Sequence, residues 1–586
     1  MKTNNKLPVI GIIGCGPRGL SALESLYKEA ANRHKQVRTL VFERSEFPGA
    51  GPVYNPQQPD SNWLNVSERA IDIPPREEIV TEYFTIPPFP NFQQWCGYND
   101  QNESDTSIDR FPLRSQLGLY LLERFKSLSS ELLKRELMEY VHGEVINVNF
   151  NSDSIQIDVL GGKSYQVTEA VMCIGHQPIE PDDQLKGWEN RVSNLDNVKL
   201  YTQPYPLDRI LELDHQNVED IVAIRGFGLA MIDVLRSLTE GRGGTFEVKD
   251  SKTREMVYFE SGREPKNIIP FSLNGLPMAP KPLNKKIDSK YVPTERELNK
   301  YSLLIKESMN SSTLLTSPKF LIEAIAPIIW AKFAGLQGKT LDHCLSEEEI
   351  IAAIKAWLTD EDFEHDLIIS KDLSSETMMR KFIGMATGHE KVSLDFCIGH
   401  VWRHCQPTMY KLLSFAPLSD ELISDIVALD ERLKRYTYGP PVDSLQQVLA
   451  LLESGNMTLD FVHDPNIELG EGGWKIEKNG TFKIANIMVN SVLDSPQIQK
   501  VISPLPKGLI NKSEIESLCD TLGIRTEKDA TIAKKGIKPD ISFSVLGRLA
   551  KGTLIGVDAI AECFSDRSDD WAKGVISRYK NHNKDS

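Results

Sequence analysis

The sequence has few cysteines, no excess of positive charge and no long uninterrupted apolar run. Its eight cysteines are scattered over 586 residues without a Cys-x-x-Cys pair, which argues against a disulfide framework or a zinc ribbon. The formal net charge of −15 argues against a general nucleic-acid binder, because a phosphate backbone would be repelled. The most apolar stretch, residues 320–336, contains Glu323, Pro327 and Lys332, so it predicts a buried helix instead of a bilayer span.

The remaining composition is that of a globular protein with more than one core. Hydrophobic residues make up 40% of the chain and charged residues 25%, and 586 residues predict two or three domains. No repeat at solenoid spacing and no low-complexity tract is present. The N-terminal segment lacks a signal-peptide cleavage pattern, so the sequence predicts a cytoplasmic protein with no membrane partner.

A glycine pattern follows the first apolar run of the chain. Residues 9–13 are typical of a short buried parallel strand, and Gly14, Gly16 and Gly19 come directly after it. The first glycine permits a sharp turn, and the second leaves room for a pyrophosphate beside the backbone. The third lets the following helix pack closely against the strand. This spacing predicts a phosphate-binding turn between a strand and a helix.

The surroundings of this turn favour a dinucleotide over a ligand-free glycine turn. The helix begins around Pro17 and Arg18, where its free amide groups and positive dipole end face an anion. A second strand, residues 39–42, ends at Glu43. A dinucleotide fold places an acid there to accept hydrogen bonds from ribose hydroxyls. The competing interpretation of Glu43 is an exposed acid at a strand end.

A second, weaker glycine pattern lies about two hundred residues later. Residues 221–225 predict a strand, and Gly226 and Gly228 occupy the turn and the approach point. Met231 stands where the third glycine is expected. Residues 243–250 supply a candidate next strand. The alternative is a Rossmann-like subdomain without a ligand.

The middle of the chain predicts helices, and the C-terminal part returns to strands and short helices. Ser346 with Glu349, and Ser444 with Gln447, have the spacing of capping boxes. Near the C-terminus, an apolar strand runs into a glycine turn at Gly547, and an acid, Asp558, follows. The two residues therefore join the candidate cofactor-binding residues.

The sequence resembles bacterial FAD/NAD(P)-binding flavoproteins that bind two dinucleotides and include flavin-dependent N-monooxygenases. The resemblance extends over most of the chain, and its most specific parts are the first glycine motif and the Gly-His-x-Pro element at residues 175–178. The similar segments are residues 11–26, 49–66, 111–121, 173–178, 226–238, 261–277, 438–455 and 546–558. In the Gly-His-x-Pro element, Cys173 and Ile174 replace the Ala and Thr of the family.

The resemblance implies an α/β fold with two Rossmann-like dinucleotide-binding domains and a mainly helical insertion. The expected boundaries are 1–215 for the FAD-binding domain, completed by 456–586, then 216–300 for the NAD(P)-binding domain and 301–455 for the helical region. FAD would bind the first motif and NADPH or NADH the second. In related oxidoreductases a Ser-Arg pair often follows the second motif, whereas Leu273 follows Ser272 here, which leaves the choice of nicotinamide open.

The implied activity is an FAD-dependent monooxygenase that uses a nicotinamide and molecular oxygen to hydroxylate a small amine or amino acid. One alternative is a flavin-dependent reductase or dehydrogenase without oxygen activation. Another is a non-catalytic FAD-binding protein that acts through partner contacts. The sequence leaves the oligomeric state open.

Several single residues carry two interpretations each. Asn65 is a candidate for hydrogen bonding to a flavin or nicotinamide edge, against a turn-closing asparagine. Arg114 is a candidate partner for a flavin phosphate, against a surface arginine at a helix start. His176 titrates near neutral pH and is a candidate for steering protons, against a strand-end cap.

One further cluster has the residue types of a metal site. His400 and His404 are four residues apart on a predicted helix, with Cys397 and Cys405 nearby. No glutamate follows the first histidine, so the metalloprotease pattern is absent. Packing around Trp402 is the interpretation that the spacing favours, because four ligands would have to converge on one face.

Overall fold

Two parallel β-sheets and a helical region organise the protein. The structure is a computed structural model that describes residues 7–98, 103–211, 219–338, 345–493, 497–519, 521–533 and 542–582. Strands and helices alternate over the first part of the chain. In chain order these elements are β1 (Val9–Ile13), α1 (Pro17–Asn32), β2 (Arg38–Glu43), β3 (Ile79–Val80), β4 (Thr85–Ile86), α2 (Phe92–Trp95), α3 (Arg114–Lys134), β5 (Met138–His142), β6 (Val145–Phe150), β7 (Ile155–Val159), β8 (Lys163–Val167), β9 (Glu169–Met172), α4 (Asp183–Val192), β10 (Lys199–Tyr201) and α5 (Asp208–Leu211).

The second part of the chain begins with strands and continues as helices. Its elements are β11 (Ile221–Arg225), α6 (Leu229–Leu238), β12 (Thr245–Val248), β13 (Met256–Phe259), β14 (Asn267–Phe271), α7 (Lys285–Asp288), α8 (Glu295–Asn310), α9 (Lys319–Gly335), α10 (Glu347–Thr359), α11 (Ser375–Thr387), α12 (Leu394–Leu413), α13 (Asp420–Thr437) and α14 (Val442–Ser454).

The last part of the chain contributes strands to both sheets. Its elements are β15 (Asn466–Gly470), β16 (Gly473–Lys478), β17 (Thr481–Ala485), β18 (Ile487–Asn490), α15 (Pro504–Asn511), β19 (Phe543–Val545), α16 (Ile560–Cys563) and α17 (Asp566–His582). Short 3₁₀ turns occupy Glu68–Ala70, Glu240–Arg242, Ser289–Tyr291, Ile498–Lys500 and Arg548–Ala550.

The first sheet has the strand order β19-β9-β1-β2-β5, and every neighbouring pair is parallel. Its central strand β1 is apolar because both faces of a parallel sheet are covered. The C-terminal helix α17 returns to lie along α1. There Ser21 Oγ lies 3.0 Å from Ser568 Oγ, and Ser25 Oγ donates to Asp569 Oδ1 at 2.6 Å. The two ends of the chain therefore build one layer together.

The second sheet has the order β10-β18-β11-β14, also with parallel pairs throughout. Strand β18 pairs with β11, so it belongs to this sheet and not to the first domain that residues 456–586 were expected to complete. Residues 243–250 were expected to supply the next strand after β11. They contain β12, which lies outside this sheet and pairs antiparallel with β13 in a separate hairpin. The other parallel neighbour of β11, besides β18, is β14. Strand β14 is buried throughout, whereas β12 is largely exposed. Both faces of a parallel sheet are covered, so its strands must be apolar, and β14 meets this requirement better than β12.

The helical region runs from α8 to α14. Helix α9 contains the long apolar stretch and is buried along most of its length, with Pro327 inside it. The predicted capping box is confirmed at α10, where Ser346 and Glu349 cap each other's backbone amides. Within the described residues, no helix combines the length and apolarity that crossing a membrane requires. The predicted fold class, α/β with two Rossmann-like sheets and a helical region, is confirmed.

Candidate functional site

The three glycines of the first turn have different neighbours. At Gly14, where φ is +87°, a Cβ would lie 2.8 Å from the carbonyl oxygen of Cys173. At Gly19 it would lie 2.2 Å from the carbonyl oxygen of Gly14. At Gly16 the nearest atom would be 3.8 Å away, on the backbone of Gly51. The fold thus excludes a side chain at two of the glycines, while at Gly16 an added Cβ would make only ordinary van der Waals contacts. Packing therefore does not require a glycine there, which fits a position kept bare for a ligand.

Glu43 ends β2 directly beside this turn. Its side chain is 4% exposed, and its Oε2 accepts the backbone N–H of Cys15 at 2.6 Å. Its Oε1 accepts the backbone N–H of Ser45 at 2.8 Å. Each carboxylate oxygen can accept a further hydrogen bond. The carboxylate is therefore fixed against the glycine turn, where a ribose acceptor is predicted.

Helix α1 begins at Pro17, and its N-cap Gly16 makes no side-chain capping bond. Arg18 is 8% exposed and donates from Nη1 to the carbonyl oxygen of Glu562 at 3.1 Å. Its Nη2 is buried and, within the described residues, has no hydrogen-bond partner. Gly547, with φ of +97°, leaves room for this guanidinium, because a Cβ there would lie 2.6 Å from Arg18 Nε.

Arg567 brings further unpaired donors to the same region, and sequence reasoning missed it. Its Nε and Nη2 are buried without a hydrogen-bond partner in the part of the chain that the structure describes. Burial lowers the pKa of Arg567, and repulsion from Arg18 adds to this shift. Two guanidiniums beside an uncapped helix N-terminus fit the pyrophosphate of FAD, which supplies the acceptors that they lack. Arg567 lies in a charged stretch typical of a surface helix, so the sequence carried no signal for it.

The second glycine turn leads from β11 into α6. Gly226 has φ of +120°, and a Cβ there would lie 2.5 Å from Ser491 Oγ. At Gly228, the N-cap of α6, the nearest atom to an added Cβ would be Met278 Sδ at 3.8 Å. Met231, at the third glycine position, is 3% exposed and packs in the core. Gly228, like Gly16, is therefore a glycine that packing against protein atoms does not require.

A cavity of about 1400 Å³ lies between the second glycine turn, the helical region and the C-terminal segment. Residues that line it include Asn65, Gly226, Gly228, Lys281 and Asp558. Pockets for one drug-sized ligand usually measure roughly 300–1,000 Å³, so this cavity has room for more than one ligand.

Asn65 lies at the wall of this cavity. Its Nδ2 donates to the backbone carbonyl oxygen of Tyr438 at 3.3 Å, and its backbone carbonyl oxygen accepts from Lys281 Nζ. The segment around Asn65 is thereby attached to the end of α13 and to the loop before α7. Its contact with a flavin or nicotinamide edge stays a prediction.

Arg114 is engaged by protein groups. Its Nη2 donates to Asp233 Oδ2 at 2.7 Å and its Nε to the carbonyl oxygen of Trp63 at 3.1 Å. Tyr205 donates its hydroxyl to the same oxygen of Asp233 at 2.6 Å. The guanidinium connects the start of α3 to α6, the helix of the second glycine turn. These protein contacts already use donors of the guanidinium. The contact of Arg114 with a flavin phosphate stays a prediction.

Asp558 lies at the cavity wall among three cations. Its carboxylate is 2.6 Å from Lys434 Nζ, 3.0 Å from Lys551 Nζ and 3.3 Å from Arg548 Nε. Burial raises the pKa of Asp558, but these cations hold it well below its usual range. The carboxylate is therefore ionised at neutral pH. Glu431 lies 2.7 Å from Lys434 Nζ and also pairs with Lys551, so two carboxylates balance most of the charge of the three cations.

His176 lies in the loop after β9. Burial lowers the pKa of its imidazole to about 4, and Arg548 lowers it further while Asp558 opposes the shift. The ring is therefore neutral at physiological pH, with one nitrogen as a hydrogen-bond donor and the other as an acceptor. A role for His176 in steering protons stays a prediction.

The His400 and His404 pair packs against protein groups. His400 is fully buried, with its ring centroid 4.3 Å from that of Phe396. His404 Nε2 lies 3.1 Å from Asp288 Oδ1. Among the described residues, no group of three or more His, Cys, Asp or Glu side chains is arranged to hold a metal ion. Trp402 is buried at the same level of the helix, and its Nε1 donates to Asp430 at 2.9 Å.

The region of the first turn is also similar in sequence to a known protein family. Residues 11–177 match a family model whose description is FAD-NAD(P)-binding. This match confirms the resemblance drawn from the glycine motif for the matched residues, which include the first turn, Glu43, Asn65 and Arg114.

Curated relatives match about half of the chain. Nitrosuccinic acid synthase from Aspergillus oryzae is 26% identical over 262 residues, which is 44% of this chain and 39% of that protein. An L-aspartate N-monooxygenase (nitrosuccinate-forming) from Streptomyces cremeus is 24% identical over 313 residues, 48% of this chain and 44% of that protein. The aligned regions thus span less than half of each relative's length.

Two solved structures, of a monooxygenase and a hydroxylase, align with most of the chain. Cyclohexanone monooxygenase from Rhodococcus sp. Phi1 bound to NADP⁺ gives a TM-score of 0.43 at 13% identity, covering 98% of this chain and 86% of that one. The reduced form of ornithine hydroxylase from Pseudomonas aeruginosa gives 0.43 at 10% identity, covering 98% and 99%.

Proposed function

We propose that the protein is an FAD-dependent monooxygenase that uses NADPH and molecular oxygen to hydroxylate the amine of a small amino acid. The observation that carries this proposal is the pairing of two glycine turns, each with one glycine that packing against protein atoms does not require. The first lies within the residues that match the FAD-NAD(P)-binding family model, and the second lines the large cavity. The names of the curated relatives support the choice of an amino acid as substrate.

The residues of the first turn would hold the cofactor, and the second turn would hold the nicotinamide. Gly16 would let the pyrophosphate approach, Arg18 and Arg567 would supply hydrogen-bond donors, and Glu43 would accept from the ribose. Bound and reduced FAD supplies the oxygen chemistry, so no protein nucleophile is required.

The proposal is tested by supplying FAD-loaded protein with NADPH, and separately with NADH, and a panel of small amino acids. The expected result is nicotinamide oxidation stimulated by one amino acid, with a product heavier by one oxygen atom. Nicotinamide oxidation that yields only hydrogen peroxide for every amino acid would instead support a flavin reductase. FAD binding without any nicotinamide oxidation would support a non-catalytic FAD-binding protein.

A further inference from the structure

A group of charged side chains closes one end of the cavity. It comprises Arg69, Asp109, Lys281, Asp288 and Arg403, all of which line the cavity wall. They come from four separate parts of the chain: the 3₁₀ turn Glu68–Ala70, the loop before α3, the segment around α7, and α12. We call these five residues the charged end of the cavity.

Two of its three cations are matched by carboxylates. Arg69 donates two bonds of 2.7 Å to Asp109 and one of 3.1 Å to Asp288. Arg403 donates from Nη2 to the other oxygen of Asp288. Three cations thus face two carboxylates, which leaves one positive charge over at the charged end.

Lys281 is the cation that remains. Among the described residues, its ammonium donates to the carbonyl oxygen of Asn65 and has no carboxylate within 4.0 Å. An ammonium carries three donors, so further donors are available toward the cavity. Burial lowers the pKa of Lys281 to about 7, and repulsion from Arg403 adds to the shift while Asp288 opposes it. A partly buried ammonium without a carboxylate partner is able to bind a ligand that supplies one.

We propose that Lys281 is the anchor for a carboxylate group of the substrate. The charged end holds one surplus positive charge, which matches a single carboxylate. Asn65, the candidate for the cofactor edge, shares its carbonyl oxygen with this ammonium, so an acid bound there lies beside that residue. This inference rests on the proposed function, because it names the part of an amino acid that the cavity recognises.

Succinate is a suitable probe, since it has carboxylates but no amine to hydroxylate. Its dissociation constant is measured by calorimetry on the FAD-loaded protein at pH 7. Lys281→Met should weaken succinate binding about 10- to 100-fold, the range expected for losing a charged hydrogen bond. Lys281→Arg should restore most of the affinity. Lys285→Met is the matched control: it removes a lysine from the same segment, but Lys285 is exposed, pairs with Asp105 and does not line the cavity.

The pH dependence of succinate binding supplies a second readout. As the pH rises from 7 to 9, free Lys281 loses its proton, so binding to the wild type should weaken by up to about tenfold per unit. The groups that face Lys281 are Arg403, Asp288, Asp109, Arg69 and His400. The pKa of His400 is lowered, so its ring stays neutral in this range.

Lys281→Arg should flatten this profile. Glu562 also lines the cavity, and burial raises its pKa to about 7, so it accounts for a smaller residual slope in this variant. An unchanged slope in Lys281→Arg would overturn the assignment.

The outcomes separate this inference from the proposed function. Equal succinate affinity in the wild type and Lys281→Met overturns the anchor, even if the wild type hydroxylates an amino acid. Loss of FAD or of NADPH affinity in Lys281→Met, with succinate binding intact, also overturns it and makes Lys281 a cofactor residue. Succinate binding that depends on Lys281, in a protein that hydroxylates no amino acid, supports the anchor and refutes the proposed function.

Discussion

The two glycine turns share one backbone plan but differ in what surrounds them. The first is closed: Gly19 brings α1 against the turn, and Glu43 from the next strand binds the backbone of Cys15. The second is open: Met231 replaces the third glycine, and the turn lines the large cavity. Its neighbouring strand β14 is followed by Ser272 and Leu273 instead of an acid. A closed turn suits a cofactor that stays bound, and an open one suits a ligand that enters and leaves.

The first turn offers the largest expected effect. Gly19→Ala should destabilise the protein by about 3 kcal/mol or more, because the new methyl group meets the backbone oxygen of Gly14. Gly16→Ala and Gly16→Val should keep the fold and lose FAD affinity in that order, since the side chain would stand where the pyrophosphate approaches. Thermal unfolding and the flavin absorbance of the purified variants measure the two effects. A folded Gly16→Val that retains one FAD per chain would contradict the assignment.

Gly228→Val tests the assignment of the nicotinamide to the second turn. This variant should retain FAD, because the substitution is remote from the first turn, and should lose reduction by NADPH about 100-fold or more. The reason is steric: packing does not require a glycine at position 228, and the bare backbone there is where a nicotinamide dinucleotide would approach. Anaerobic stopped-flow bleaching of the bound flavin measures the rate. Unchanged reduction kinetics would remove the nicotinamide from this turn.

The ionic contact between the two regions is the next target. Asp233 on α6 is 3% exposed and accepts hydrogen bonds from Arg114 and Tyr205. Asp233→Ala should cost about 3–5 kcal/mol in the free energy of unfolding, because it leaves a buried guanidinium without its carboxylate. The double variant Asp233→Ala with Arg114→Met should recover part of this loss. Urea denaturation measures it, and equal stability of the wild type and Asp233→Ala would refute the contribution of the pair.

A smaller effect is expected from His176. Its pKa falls from about 6.5 in the unfolded chain to about 4 in the folded protein, so the folded state prefers the neutral ring. This contribution is complete above pH 6.5 and is lost as the pH falls toward 4. His176→Phe should therefore flatten the decline of the melting temperature over this range by a few degrees. The exposed His142→Asn is the control and should keep the wild-type decline.

The local parts of this comparison were predictable from sequence. The contacts of Gly19 and Glu43 are with residues of the same strand, turn and helix region, so spacing alone located them, whereas the tight contact of Gly14 is with the distant Cys173. The capping box at Ser346 is equally local. Ser444 with Gln447 has the same spacing but is not a cap, because α14 begins at Val442 and both side chains accept from Arg236, at 2.6 and 2.7 Å.

The remaining features depend on contacts between distant parts of the chain. Arg114 meets Asp233 across 119 positions, and β18 joins β11 across more than two hundred residues. Lys281 and Arg567 stand in stretches that are typical of polar surface, and only the fold buries them. Sequence periodicity reports which side of an element is apolar, but it carries no information about which distant charges share one cavity.

The most direct test of the two-turn account is a calorimetric titration of the wild-type chain, first with FAD and then, once loaded, with NADP⁺. The account predicts one FAD per chain, followed by one NADP⁺ that binds only weakly to Gly228→Val. A well-folded chain that takes up no FAD, or a loaded chain whose NADP⁺ affinity is the same in Gly228→Val, would contradict it.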